Sequence, residues 1–111
     1  MSKRIEKINE LLRQQVGKIT LKETDIASNI LLTISKVSTS PDLKKATVYI
    51  TALPQVKELE VLKELEINKY NIQKALNRSM YISHIPKLEF KIDKQMHAEQ
   101  KVYDLLAKDK Q

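Results

Sequence analysis

The sequence predicts a small α+β domain in which helices pack on one face of a three-stranded sheet. Two observations predict the strands: apolar and polar residues alternate on both sides of a short Pro-Asp segment, and they alternate again just after Pro86. A third predicts the helices, because apolar residues elsewhere recur every three or four positions. The expected order is helix, strand, strand, helix, helix, strand, followed by a short terminal helix.

The first helix is predicted over about residues 2–22. Its apolar side chains have helical spacing: they are Ile5, Ile8, Leu11, Leu12, Val16 and Ile19. Ser2 is suited to cap the start, because its hydroxyl can accept a hydrogen bond from a free backbone N–H. Gly17, the only glycine of the chain, is expected to weaken or bend the helix near its position.

The first strand is predicted over residues 29–38, which are rich in β-branched side chains. Leu32 and Ile34 share one parity, whereas Val37 falls on the other. One extra residue at positions 35–36 would restore the alternation, so a β-bulge is expected there.

The second strand alternates without interruption. One face carries Ala46, Val48, Ile50 and Ala52. The other face carries Tyr49, which could stack on a base or pack across the sheet. Before this strand, Pro41 fixes its own φ and Asp42 can accept hydrogen bonds from nearby backbone N–H groups. These two residues predict a tight turn between antiparallel strands.

Two further helices and a last strand follow. Pro54 ends the second strand and can open a helix. Two inward stripes are expected, formed first by Val56, Leu59, Leu62 and Leu65 and then by Ile72, Leu76 and Met80. They are offset across residues 67–71, which predicts two helices or one kinked helix. Leu88, Phe90 and Ile92 alternate in the third strand, and residues 96–106 are expected to form the terminal helix.

Length and composition favour one folded domain. With 111 residues we expect a single domain over residues 1–107 and a loose end at residues 108–111. The absence of cysteine excludes disulfides and thiolate chemistry and fits a reducing cytoplasm. No apolar stretch is long enough for a secretory or membrane segment, so neither is expected. A monomer is expected.

Catalytic patterns are scarce, so an enzyme, a cofactor and a metal site are not expected. A single glycine cannot build a phosphate-cradling loop. His97 and Glu99 have no converging partners and read as an isolated surface pair rather than metal ligands. Four glutamates could suggest paired catalytic acids, but they read better as the solvated face of a helix: they are Glu58, Glu60, Glu64 and Glu66.

Positive charge is the more informative feature. The formal net charge is +6, which favours a polyanionic partner, although dispersed lysines can also serve solubility. Lys74 and Arg78 lie four residues apart on one helical face and could reach adjacent phosphates. The candidate RNA-binding residues are Lys3, Arg4, Lys7, Arg13, Lys44, Lys45, Lys69, Lys74 and Arg78.

The motifs resemble the ribosome-binding factor A family. The stretch "SPDLKKATVYI" is similar to the family's Ser-Pro-Asp-Leu turn followed by a strand with Ala, Val and Tyr, here Ser40, Pro41, Asp42, Leu43, Ala46, Val48 and Tyr49. The stretch "IPKLEFKID" resembles a later Pro-x-Leu-x-Phe strand that ends in aspartate, here Pro86, Leu88, Phe90 and Asp93. The terminal "VYDLL" is similar to the family's closing segment, so the resemblance spans essentially the whole chain.

The resemblance implies a type II KH-like fold without catalytic activity. It also implies binding to the small ribosomal subunit and its rRNA, help in late maturation and 5′-end processing of that rRNA, and release aided by a ribosome-assembly GTPase. The family's helix junction carries Ala-x-Gly, where this chain has residues 68–70, Asn-Lys-Tyr. Lys74 and Arg78 match basic positions of the family's next helix.

Two other functions remain open at the level of sequence. The first is an adaptor that binds a protein through the sheet edge or an apolar helix surface. The salt dependence of binding would distinguish an adaptor from an RNA-binding protein, because phosphate contacts weaken steeply as salt rises and apolar contacts do not. The second is a small hydrolase that uses His97 and nearby acids, for which metal-dependent turnover would be the sign.

Overall fold

The computed structural model describes residues 3–97 and residue 106. Within them the order of elements is the predicted one. They are α1 (Lys3–Glu23), β1 (Leu31–Thr39), β2 (Lys45–Leu53), a 3₁₀ turn (Gln55–Lys57), α2 (Glu58–Ile67), α3 (Lys69–Ser79) and β3 (Lys87–Ile92). The predicted α+β class is confirmed, and the order agrees with the type II KH-like order that the resemblance implies.

Strand β2 lies at the centre of the sheet. It pairs antiparallel with β1 and parallel with β3. Its alternating face is buried as predicted, and the helices cover it with apolar side chains of their own. The core contains Leu12 and Val16 of α1, Leu65 of α2, and Ile72 and Leu76 of α3. From the sheet, β3 adds Leu88 and Phe90. One apolar core therefore lies between the sheet and the helices, all on one face.

The predicted bulge lies in β1, where the register shifts between Ile34 and Lys36. The extra residue, Ser35, donates its hydroxyl hydrogen to Asp93 Oδ2 at 2.6 Å and lies 3.3 Å from Tyr49 O. The Asp93 N–H donates to Ile50 O at 2.8 Å. Ser35 thus joins β1 to β2 and to the residue that follows β3, so the bulge locks all three strands in register.

Asp93 is a buried carboxylate held in its charged form. Burial alone would raise its pKa. The hydrogen bond from Ser35, the N–H groups of Met96 and Gln95 and the nearby Lys36 charge outweigh burial, so the pKa lies below its ordinary value. Because the Met96 N–H donates to Asp93 Oδ1 at 3.1 Å, this side chain also caps the helical turn at residues 94–97.

The stripe predicted for α2 is wrong at its start. Val56 and Leu59 are 86% and 67% exposed, whereas Glu58, read as part of a solvated face, is 5% exposed. One reason is that the 3₁₀ turn after Pro54 delays the start of α2 to Glu58. The other is that the predicted apolar residues were all three positions apart, and residues at that spacing do not stay on one face of a helix with 3.6 residues per turn. The buried stripe consists of Glu58, Val61 and Leu65.

Two helices, rather than one kinked helix, follow β2. The single residue Asn68 separates α2 from α3. Its side-chain amide donates to Glu64 O at 2.8 Å and to Glu64 Oε1 at 2.9 Å, while its own carbonyl accepts from the Ile72 N–H at 2.9 Å. The junction that the resemblance aligns with the family's Ala-x-Gly therefore begins with an asparagine that bonds to both helices.

The end of the chain is described only in part. Residues 94–97 and Leu106 are helical, and the remainder of the terminal helix predicted for residues 96–106 lies outside the described residues. The Ser2 cap and the end at 108–111 lie outside them as well. Over the residues that are described, no helix has the length and apolar content to cross a membrane.

Replacing Gly17 by alanine should stabilise the protein. The helix α1 runs unbroken through Gly17, and a Cβ added there meets no atom within 4 Å. The Gly17→Ala variant should gain about 0.5–1 kcal/mol of unfolding free energy, measured by urea denaturation. Gly17→Pro is the opposing control and should lose about 3 kcal/mol. Destabilisation by alanine would contradict an open, regular helical position at Gly17.

The Ser35 contact should give the protein a pH-dependent stability. The pKa of Asp93 is lower in the folded protein than in the unfolded chain, where it is near 4. The ionised carboxylate therefore stabilises the fold above the unfolded pKa, and this stabilisation is lost as the pH falls through the folded pKa. Ser35→Ala should cost about 1–3 kcal/mol at neutral pH, and the difference from wild type should shrink below about pH 4. Ser38→Ala, at an exposed serine of β1, is the control. A cost independent of pH would refute this assignment.

Candidate nucleic-acid interface

Three segments of the chain meet in one concave surface, here called the basic notch. It comprises two adjoining depressions of about 400 and 570 Å³ that share Leu43, Ser83 and His84. Its walls are the first half of α1, the β1–β2 turn and the loop between α3 and β3. The lining residues are Arg4, Lys7, Ile8, Leu11, residues 42–45, residues 82–85 and Lys87.

The β1–β2 turn is held by its own polar side chains. Asp42 Oδ1 accepts from the Ser40 hydroxyl at 2.6 Å and from the Lys44 N–H at 3.1 Å. The Lys45 N–H donates to Ser40 Oγ at 3.1 Å. The Ser40 hydroxyl and then the Lys44 N–H lower the pKa of Asp42, so the carboxylate stays charged and bonded at neutral pH. The predicted turn is confirmed, and its backbone is fixed by Ser40 and Asp42.

Leu43 has an unusual backbone conformation. Its φ is +62°, in the left-handed region that a residue with a Cβ seldom adopts, at a cost of about 1 kcal/mol or more. The Leu43 N–H donates to Ser40 O at 2.9 Å, which closes the turn around this conformation. Leu43 lines both depressions of the basic notch. The strained turn therefore places an apolar side chain between the two depressions.

The α3–β3 loop is anchored by a glutamine that sequence patterns do not single out. Gln73 Nε2 donates to Pro86 O at 3.1 Å, and Gln73 Oε1 accepts from the Leu88 N–H at 2.9 Å. At the same edge the Lys87 N–H donates to Lys44 O at 3.0 Å. Gln73 thus fixes the end of the loop against α3, and the Lys87 bond joins that end to the turn.

Helix α1 supplies the third wall. Asn9 Oδ1 accepts from the Thr39 N–H at 3.0 Å, one residue before the turn begins. This bond fixes the position of α1 along the sheet. Arg4 and Lys7 of α1 therefore line the same depression as Leu43 and Ile82.

The structure brings four of the predicted RNA-binding residues together, namely Arg4, Lys7, Lys44 and Lys45. Lys87 and His84 also line the notch and were missed. Both lie far from the turn in sequence, and only the pairing of β3 with β2 brings them beside it. The carboxylate of Asp42, the one acid among the described lining residues, is already engaged within the turn.

The other five predicted residues do not line the notch. Lys3 precedes Arg4 on α1, and Lys69 is half-buried at the start of α3. Lys74 and Arg78 are exposed on α3 as predicted. Arg13 is hydrogen-bonded to Glu10, a contact that lowers the pKa of Glu10, and it borders an apolar groove between α1 and β1 instead.

Contacts in the structure correct the interpretation of His97 and give Tyr49 a partner on the neighbouring strand. His97 is not isolated on the surface: its Nε2 lies 2.6 Å from Oε1 of the buried Glu58, close in distance but poorly aligned for a hydrogen bond. Glu58 Oε2 accepts from the Ala52 N–H at 3.3 Å, which explains its burial. Tyr49 makes a contact across the sheet, since Nζ of its partner Lys36 on β1 lies 4.7 Å from its ring centroid.

Across residues 3–97 and Leu106, no three or more His, Asp or Glu side chains are grouped so that they could hold a metal ion. What the notch presents is cationic and apolar surface, which can bind an anion and an aromatic base.

Comparison with known proteins decides the family. A sequence model described as "Ribosome-binding factor A" matches residues 4–106. The chain belongs to the ribosome-binding factor A family. A ribosome-binding factor A from Akkermansia muciniphila is 30% identical over 93 residues, which cover 84% of this chain and 74% of the relative.

Solved structures of the family share the fold. The crystal structure of ribosome-binding factor A from Thermus thermophilus superposes with a TM-score of 0.65 at 23% identity, covering 79% of this chain and 93% of that one. A homology model of the Thermus thermophilus protein, fitted into the cryo-EM map of its complex with the 30S subunit, gives a TM-score of 0.56 at 26% identity. It covers 73% of this chain and 90% of the fitted one.

Replacing Gln73 by alanine should loosen the α3–β3 wall of the notch. The variant lacks the bonds to Pro86 O and the Leu88 N–H, so we expect faster hydrogen exchange at the Leu88 amide and a loss of about 1–2 kcal/mol of stability. Asn77→Ala is the control, because the exposed Asn77 contacts only the Gln73 side chain in this network. Unchanged protection of Leu88 in Gln73→Ala would show that the loop is held by other contacts.

Proposed function

We propose that this protein is a ribosome-assembly factor that binds the small ribosomal subunit through the basic notch. The convergence of five cationic side chains from three segments supports the proposal: Arg4, Lys7, Lys44, Lys45 and Lys87. Phosphate oxygens are the natural partners of such a cluster, and rRNA is the phosphate-rich surface of the subunit. Family membership and the relative fitted into a 30S complex also support it.

The mechanism requires binding and no bond making. A protein that binds one conformation of an RNA more tightly than another shifts the population toward the first. A notch whose backbone is held by its own hydrogen bonds suits this role, because less conformational freedom is lost on binding. We infer that the protein acts in this way, as a non-enzymatic cytoplasmic monomer, on late maturation and 5′-end processing of small-subunit rRNA, and that a ribosome-assembly GTPase aids its release.

The exposed α3 residues extend the proposed surface. Lys74 and Arg78 lie on the same element that anchors the notch loop through Gln73. They would contact phosphates beside those held by the notch. Lys3 is exposed at the start of α1, one residue before Arg4, and would add positive charge near that end of the notch. Lys69 and Arg13 are weaker candidates, since the first is half-buried and the second is paired with Glu10.

Removing three charges from the notch should weaken capture by small subunits and flatten its salt dependence. The variant is Lys7→Ala, Lys44→Ala and Lys87→Ala, which leaves the backbone bonds of the turn and β3 in place. For every phosphate that the variant no longer binds, the slope of log affinity against log salt should fall by about 0.7–0.9. The measurement is co-sedimentation with mature and immature small subunits across a salt series.

The matched control removes the same charge elsewhere, at the exposed Lys18, Lys22 and Lys63. It should retain most of the affinity. Equal loss in both variants would mean that net charge alone attracts the subunit and would overturn the notch as the binding surface. Salt-insensitive capture would favour the adaptor function instead, for which the chain offers the apolar groove between the second half of α1 and β1.

A further inference from the structure

The most exposed aromatic residue of the described chain lies beside the basic notch. Tyr81 is 100% exposed, and it immediately precedes the notch-lining residues Ile82, Ser83 and His84. It follows Met80, which is buried in the core, so the chain leaves the core at one residue and presents a ring to solvent at the next. No contact with the protein covers either face of the tyrosine ring.

The charges around this loop suit a nucleic acid rather than a protein. Arg4 and Lys7 lie on one side of His84, and Lys44, Lys45 and Lys87 lie on the other. Proteins that hold single strands combine such a positively charged groove with aromatic side chains on which bases stack. An exposed aromatic ring one residue along the chain from a cationic groove offers the same combination.

We propose that the notch binds a single-stranded RNA segment, with an unpaired base stacked on Tyr81 and the adjoining phosphates held by the notch lysines. This rests on the proposed function and specifies the RNA: a loop, bulge or end rather than a duplex. In an A-form duplex the bases already stack on each other and their faces are inaccessible. Away from the ends of a duplex, only an unpaired base can lie flat on the Tyr81 ring.

The dimensions of the notch agree with one or two nucleotides. Its two depressions, about 400 and 570 Å³, each fall within the range of pockets that enclose small organic ligands. Leu43 and His84, which line both, give an apolar side chain and a second aromatic ring between them. A strand that crosses Leu43 would place successive phosphates near α1 on one side and near Lys44 and Lys87 on the other.

The test compares binding of two probes by fluorescence anisotropy: a labelled single-stranded RNA of about 12 nucleotides and the same strand in a duplex. Tyr81→Ala should weaken single-strand binding about tenfold, as loss of one base–aromatic stack does, and should leave duplex binding unchanged. Tyr81→Phe keeps the ring and should retain wild-type affinity. Tyr70→Ala, at a tyrosine that is 76% exposed outside the notch, should also bind as wild type does.

The salt dependence separates stacking from charge. Tyr81→Ala removes no charge, so its salt slope should equal that of the wild type, whereas the notch lysine variant should have a flatter slope. Equal affinity of Tyr81→Ala and wild type for the single strand would overturn this inference, and so would equal loss in Tyr70→Ala. Either result, together with weakened subunit capture by the lysine variant, would leave the proposed function standing without base stacking.

Discussion

Strand β3 enters the sheet parallel to β2, and that pairing brings the α3–β3 loop of the basic notch beside the β1–β2 turn. Parallel strands begin at the same end of a sheet, so the turn that precedes β2 and the loop that precedes β3 are brought side by side. A parallel neighbour also requires a crossover, which α2 and α3 provide. The crossover that fills the core therefore also delivers the loop that carries Tyr81 and His84 to the turn that carries Lys44.

Polar side chains fix the backbone where many proteins rely on glycine. The single glycine lies inside α1, so none is available for the β1–β2 turn or the α2–α3 junction. Ser40 and Asp42 bond to the turn, Asn68 bonds to both helices at the junction, and Gln73 bonds to the start of β3. Each of these bonds restrains the chain in one conformation, whereas glycine would permit several. The backbone of the basic notch is therefore held by hydrogen bonds of Ser40, Asp42 and Gln73.

Features that depend on near neighbours were predictable from the sequence. Parity predicted the bulge at Ser35, and turn chemistry predicted the bonds of Asp42. The buried face of α2 was not predictable from its own residues. Glu58 faces the core because its carboxylate accepts from the Ala52 N–H of β2, outside its own helix. Lys87 and His84 were missed for a related reason: their place beside the turn follows from strand pairing, which local patterns do not encode.

Leu43 illustrates how backbone and side chain can favour different residues at one position. Its left-handed conformation suits glycine or asparagine, whereas the apolar surface between the two depressions requires a large side chain. Glycine would relax the backbone and remove that surface. On the proposed function, stability and recognition therefore favour different residues at this position, and a variant released from RNA binding would gain stability from the smaller residue.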